Sequence, residues 1–355
     1  MTKRIISLLL AVVMTMSLLA GCGSKPVEEQ NDVQQEQQDN TQDEQSTEVT
    51  VIDGLGNTVT LEKPAEKVVT CFYGTSYAMI ALGVSDKVVG MEAKANSRPI
   101  YGLAAPAMLE LPNVGSMKEF NVESAIGLEP DVAILPKKLQ DTASTFAEVE
   151  IPVVIWDAET QESLESMLTM IGTLCGVPEK AEALIQYYDD TFAKVADMTK
   201  DLTDEEKPVV YMGGNSSYLQ TAPKTMYQAG LIENAGGINA AANIDGNYWV
   251  DVAYEQIIAM NPDVIILPVD AEYTVDDVKA DAQLAEITAV KNGAVYKMPK
   301  GFEAWDSCVP SGVLGTLWTL ATIHGDLYSM DEMRTETAEF YKTFYGFDAD
   351  TSIIQ

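Results

Sequence analysis

A single histidine, His324, serves all 355 residues. One imidazole cannot build the clusters of several histidines and carboxylates that hold naked zinc or manganese. The sequence therefore predicts no metal site of the protein's own, and no cofactor. A Ser-His-Asp triad would have to use the same residue, and no Gly-x-Ser-x-Gly elbow is present. Neither common glycine-rich phosphate loop occurs. An extracytoplasmic enzyme is the weakest of the readings left. Basic residues are scarce, 22 Lys and Arg against 54 Asp and Glu, a net charge of −32. Such a surface excludes nucleic acid and anionic lipid headgroups as partners. Four cysteines, Cys22, Cys71, Cys175 and Cys308, show no paired spacing. That excludes a disulfide framework and a Cys-rich zinc site, leaving one bond among the last three open. There is also no apolar run of the roughly 20 residues that a spanning helix needs.

The longest such run, residues 5–20, has 16 residues and follows Lys3 and Arg4. Its length and flanks fit a secretion signal. It ends in Leu19-Ala20-Gly21-Cys22, which resembles the lipobox of bacterial lipoproteins. The resemblance implies removal of residues 1–21 and acylation of Cys22. The chain would then sit outside the cytoplasm, tied to the cell membrane through the lipid alone. Residues 22–48 are polar and acidic and have almost nothing to bury, so a disordered tether is expected. Residues 1–48 hold three bases and eight acids, which leaves 19 and 46 beyond them, a balance of −27. About 300 residues suit two domains better than one.

Within that stretch the chain nearly repeats itself. Residues 123–136 read ESAIGLEPDVAILP and residues 255–268 read EQIIAMNPDVIILP, identical at eight of fourteen positions. Each copy reads as a short helix, a Pro-Asp stop and a strand buried on both faces. The strands "KVVTCFYG" and "PVVYMGG" precede the copies, and "IPVVIW" and "AVYKMP" follow them. Strands alternating with helices imply parallel sheets. The pattern gives an N-terminal α/β lobe over 49–177 and a C-terminal α/β lobe over 205–355. Between them, residues 178–204 carry Ala181, Leu184, Ile185, Tyr188, Phe192, Val195 and Leu202 as a helical stripe. Pro178 opens it, at a position that suits proline. A single long helix joining two lobes makes a cleft with a stiff hinge.

The stretches NVESAIGLEPDVAIL, GLIENAGGIN, AYEQIIAMNPDVIIL, AVKNGAVYKMP and LGTLW together resemble the helix-hinged solute-binding lipoproteins of ABC importers. That class carries iron–siderophore complexes, haem and cobalamin. The resemblance implies the class III periplasmic-binding-protein fold. It implies capture of an iron chelate or a corrinoid in the interlobe cleft and delivery to a permease dimer with its ATPase. It also implies that Glu123 and Glu255, at matched positions in the two copies, meet the permease. The bland reading of those glutamates is that each favours its helix's positive end. The stretch FEAWDSCVPSGVLGTLW also looks like members reported for molybdate or tungstate, so a bare oxyanion is the alternative ligand.

Ligands in open α/β sheets sit beyond the carboxyl ends of the strands. The loops expected there hold the aromatics Tyr73, Tyr77, Tyr101, Trp156, Tyr218, Tyr248, Trp249 and Trp305. Of these, Tyr73, Trp156, Tyr218, Trp249 and Trp305 are taken as ligand contacts, because aromatic faces suit a wide, flat chelate. Arg98 and Lys137 are added as oxyanion-binding groups. Beyond residue 48 the only arginines are Arg98 and Arg334. Trp318, in an apolar helix, is assigned to the core.

Overall fold

The computed structural model describes residues 47–156 and 159–355. The signal segment, Cys22 and nearly all of the tether lie outside the described residues. Among the described residues no helix is long and apolar enough to cross a membrane.

The short apolar runs form two four-stranded sheets. The first contains β1 (Val68–Thr70), β2 (Val88–Gly90), β3 (Val132–Pro136) and β4 (Val153–Trp156), in the order β2-β1-β3-β4. The second contains β5 (Val209–Met212), β6 (Ile238–Asn239), β7 (Val264–Leu267) and β8 (Val295–Lys297), in the order β6-β5-β7-β8. Every pairing within both sheets is parallel. The two orders are the same, so the repeated sequence belongs to a repeated topology. Its strand is β3 in one lobe and β7 in the other, each central and buried throughout.

Alternation sorts the matched residues equally in both lobes. Val132 and Ile134, like Val264 and Ile266, join one continuous core shared by the lobes. Ala133 and Leu135 enter a smaller cluster on the other face of their sheet, and Ile265 and Leu267 enter the corresponding one.

Among the helices packed around the sheets are α1 (Tyr73–Ala81), α2 (Val122–Ile126), α3 (Gln161–Leu174), α4 (Pro178–Thr199), α5 (Tyr227–Asn234), α6 (Tyr254–Met260), α7 (Val313–Ile323) and α8 (Met330–Phe340), of which α1 and α5 reach the cleft. The longest is α4, with 22 residues. At a rise of roughly 1.5 Å per residue it extends about 33 Å. It starts at Pro178, where a missing N–H costs nothing. It buries Ala181, Leu184, Tyr188, Thr191 and Val195 along one stripe. The Tyr188 hydroxyl donates to the Pro310 carbonyl at 2.6 Å and so ties this helix to the second lobe. Gly172 of α3 is required by close approach, because a Cβ there would lie 2.8 Å from that of Ala181.

The Pro-Asp steps after α2 and α6 do more than stop a helix. The residues before the prolines, Glu129 and Asn261, both turn into the left-handed region, at φ 50° and 41°. The aspartates then fasten a neighbouring strand. Asp131 Oδ2 accepts the backbone N–H groups of Glu66 and Lys67 at 2.7 and 2.9 Å, just before β1. Asp263 Oδ2 accepts that of Val209 at 2.9 Å, at the start of β5.

Candidate functional site

The carboxyl ends of the strands of both lobes open on one cavity of about 440 Å³. From the first lobe, Pro136 and Trp156 close β3 and β4 and stand opposite each other in register. Phe72 and Tyr73 follow β1 and open α1. From the second lobe, Asn215 follows β5, Tyr227 and Gln228 open α5, and Asn247, Tyr248 and Trp249 come from the loop before Val250–Asp251. Ser307 and Cys308 complete the wall from the loop after β8. Six aromatic side chains, Phe72, Tyr73, Trp156, Tyr227, Tyr248 and Trp249, therefore meet three amides, Asn215, Gln228 and Asn247. Glu159 is the one charged side chain among the described lining residues.

Local chemistry fixes several of these groups. The ring of Tyr73 lies 4.4 Å from Phe72 and 5.4 Å from Tyr77, centroid to centroid. The Arg98 guanidinium carbon sits 4.7 Å from the Tyr73 ring centre, within cation–π range. Burial raises the Tyr73 phenol above its ordinary range, and Arg98 partly opposes that. Cys308 donates through Sγ to the Thr160 carbonyl at 3.2 Å, a contact between loops of the two lobes. Burial, assisted by Glu159, pushes the thiol up to about 12, so it stays a neutral donor near pH 7. Asn215 Oδ1 is buried and has no hydrogen-bond partner. A buried acceptor left unmatched is costly, and a donor on a bound molecule removes that cost.

The loop carrying Ser307 and Cys308 is held from behind by two buried carboxylates. Glu303 accepts from the Tyr345 hydroxyl at 2.7 Å and from the Ser311 N–H at 3.0 Å. Asp306 accepts from the Val269 N–H at 3.2 Å. Burial is the largest influence on both, raising Glu303 to about 7 and Asp306 to about 6.

Tyr73, Trp156 and Trp249 line the cavity, whereas the other residues taken as ligand contacts do not. Arg98 stands behind Tyr73. Lys137 is exposed on the helical turn that follows Pro136. Tyr218 turns away, its hydroxyl donating to Asp281 Oδ2 at 2.8 Å and its ring edge-on to Tyr273. Trp305 is fully buried: its indole N–H donates to the Tyr341 hydroxyl at 3.0 Å and its ring stacks on Phe302. Tyr77 and Tyr101, expected on the rim, are core residues, because helices begin at Tyr73 and Pro99 where loops were expected. Tyr101 donates to the buried Glu92, which also accepts from Ser76 at 2.7 Å.

Tyr227 and Gln228 were missed because they start a helix instead of ending a strand loop. The sole imidazole is elsewhere, with His324 Nε2 at 3.2 Å from the Gly236 carbonyl. Cys71, Cys175 and Cys308 are all free. No group of three metal-ligating side chains occurs among the described residues. Glu123 and Glu255 are both exposed in the first turns of α2 and α6.

Comparison with known proteins agrees with this architecture. A cobalamin-binding protein of Halobacterium salinarum is 30% identical over 253 residues, 70% of this chain and 65% of that one. The ABC transporter substrate-binding lipoprotein YvrC of Bacillus subtilis is 29% identical over 310 residues, 82% of this chain and 87% of that one. The crystal structure of a periplasmic solute-binding protein from Veillonella parvula superposes with a TM-score of 0.76 at 27% identity, covering 86% of this chain and 96% of that one. Molybdate-bound MolA of Haemophilus influenzae shares the fold at a TM-score of 0.74 and 21% identity, covering 85% and 99%. The family model described as periplasmic binding protein matches residues 68–301. With two parallel α/β lobes, a joining helix and a match over most of its length, this chain belongs to the periplasmic binding protein family.

Proposed function

We propose that this protein is the extracytoplasmic substrate-binding component of an ABC importer, and that its cargo is a large, flat metal chelate, a corrinoid before haem or a ferric siderophore. The observation that carries the reading is the wall of the cavity: six aromatic rings, three side-chain amides and, among the described residues, no lysine or arginine. Ring faces bury the flat surface of a macrocycle. Amides, and the unmatched Asn215 Oδ1, suit a ligand with amide groups around its edge, as a corrinoid has. The carboxylates of haem and of many ferric siderophores would instead face Glu159 in a protein whose charge is already strongly negative, and like charges held close together repel. The similarity to the Halobacterium cobalamin-binding protein supports the same choice. Arg98, 4.7 Å from the Tyr73 ring, favours an anionic iron chelate as the second reading.

A bare molybdate or tungstate fits the cavity less well. The cavity measures about 440 Å³. A water takes about 30 Å³ of liquid volume, so the space corresponds to roughly fifteen waters. A tetrahedral oxyanion would leave most of that space unfilled and would meet no cation among the described lining residues.

Native mass spectrometry of the full chain against cyanocobalamin, haem, ferric siderophores and molybdate tests the reading. The expected result is one corrinoid retained per chain and released unchanged, with Trp249→Ala weakening retention about tenfold or more. Retention of molybdate alone overturns the reading, and chemical conversion of the bound molecule would make the protein an enzyme.

Glu123 and Glu255, on the same reading, serve as contacts to the permease. Cys22 serves as the lipid anchor, so Cys22→Ala moves the protein from membrane to soluble fractions; unchanged partition overturns the anchor.

A further inference from the structure

A second cavity, of about 190 Å³, adjoins the main cleft. Glu159, Thr225, Met226 and Tyr227 line both spaces, so the two are neighbouring chambers with one shared wall. The lining of the second chamber includes Phe192 of α4, Gly230 and Leu231 of α5 and Thr316 of α7, with the polar Gln161 and Asn234 beside them. Its exposed rim carries Lys224 and Glu233. We propose that this chamber is a second subsite, which takes one aromatic arm attached through a polar linker to the molecule held in the main cleft.

Size and lining select this occupant. An apolar cavity of about 150 Å³ holds a benzene ring, so the chamber of 190 Å³ accommodates one substituted ring. Phe192 and Leu231 give such a ring apolar walls. Lys224 gives the rim a cation to pair with an anionic linker such as a phosphodiester, and Glu159 and Glu233 are acceptors for the linker's hydroxyl groups. Gly230 adds an independent sign. It lies inside α5, where glycine is costly compared with alanine. A Cβ built there meets nothing within 4 Å, so packing does not require the glycine. A larger side chain at this position would instead occupy the chamber.

The proposal rests on the reading of the main cleft as the ligand site, so its test needs a probe that does not depend on that reading. In the full chain, indole is expected to bind saturably and to perturb the NMR signals of Phe192 and Thr316. Gly230→Leu fills the chamber and is expected to weaken indole about tenfold or more, while Trp249→Ala, in the main cleft, leaves it within about twofold. Gly230→Ala, with a melting temperature equal to or above that of the wild type, is the folding control. No saturable indole binding, or binding that survives Gly230→Leu, overturns the subsite. The arm itself is read with cyanocobalamin and with cobinamide, the same macrocycle without its benzimidazole arm. Gly230→Leu is expected to weaken the first about tenfold and to leave the second unchanged. An equal effect on both overturns the role for the arm. If neither macrocycle binds the wild type, the corrinoid reading fails, and the indole measurement still decides the chamber.

Discussion

Glu303 is 1% exposed and faces the Ser311 N–H and the Tyr345 hydroxyl from behind the cleft. Burial lifts its carboxyl from 4.5 to about 7. A raised carboxyl means that the folded chain holds a proton that the unfolded chain releases. Its contribution to stability is therefore fully present below about pH 4.5 and is lost as pH rises through about 7. A shift of that size is worth on the order of 3 kcal/mol. Glu303→Gln imitates the protonated side chain, its oxygen accepting from Ser311 and its amide N–H facing the Tyr345 oxygen. Denaturant titrations at pH 5 and pH 8 should show the wild type losing more stability across the interval than the variant. Equal slopes would remove Glu303 as the source. Single side chains were also where the sequence was hardest to read. Trp156 and Trp249 fall at a strand end and in a loop, so they were found. Trp305 shares a stretch with Ser307 and Cys308, which do line the cavity, yet its indole points the other way, into Tyr341 and Phe302. A linear pattern ranks residues by loop, but the backbone path within an irregular loop decides which way each one faces.

At the level of elements, periodicity served well because the strands are short apolar runs with no polar alternative. The duplicated helix-to-strand unit was legible because its strand is central in both sheets and must be apolar on both faces. Its aspartate was read only as part of a stop signal. Its acceptors point at a strand distant in sequence, and nothing in the fourteen residues reveals which one. Asp131 and Asp263 each stitch the central strand of a lobe to the beginning of its neighbour. These bonds are solvent-exposed, so water replaces a lost acceptor, and each aspartate contributes only the net worth of its bonds, about 0.5–1.5 kcal/mol. The two sites lie in different lobes and share no partner, so their effects should add. Asp131→Ala should cost at least as much as Asp263→Ala, because it accepts two N–H groups rather than one. The double variant should lose the sum in chemical denaturation, with cavity ligands bound as before. A double variant no less stable than either single one would show that the clasps are not independent.

Over the whole molecule, the repeat carries one more pair of matched residues. Glu123 and Glu255 lie in the first turns of α2 and α6, which precede the central strands of two sheets with the same strand order. Neither lines the cavity, and both are exposed, so neither has a partner within the ligand site to serve. A like residue at a like place in each lobe suits a partner that presents the same surface twice, such as a permease dimer. Charges at such a contact act through complementarity and contribute little to the fold. Their position near a helix N-terminus is worth about 0.3–1 kcal/mol each at most. Glu123→Ala together with Glu255→Ala should therefore leave ligand affinity within about twofold and lower the melting temperature by only a few degrees. Uptake of the ligand by cells carrying the cognate permease should fall sharply, and a charge reversal on the permease side should change the size of that fall. Normal uptake by the double variant would reduce the glutamates to helix-start residues. Loss of ligand binding would instead make them part of the cleft's support, and the duplication would then serve architecture alone.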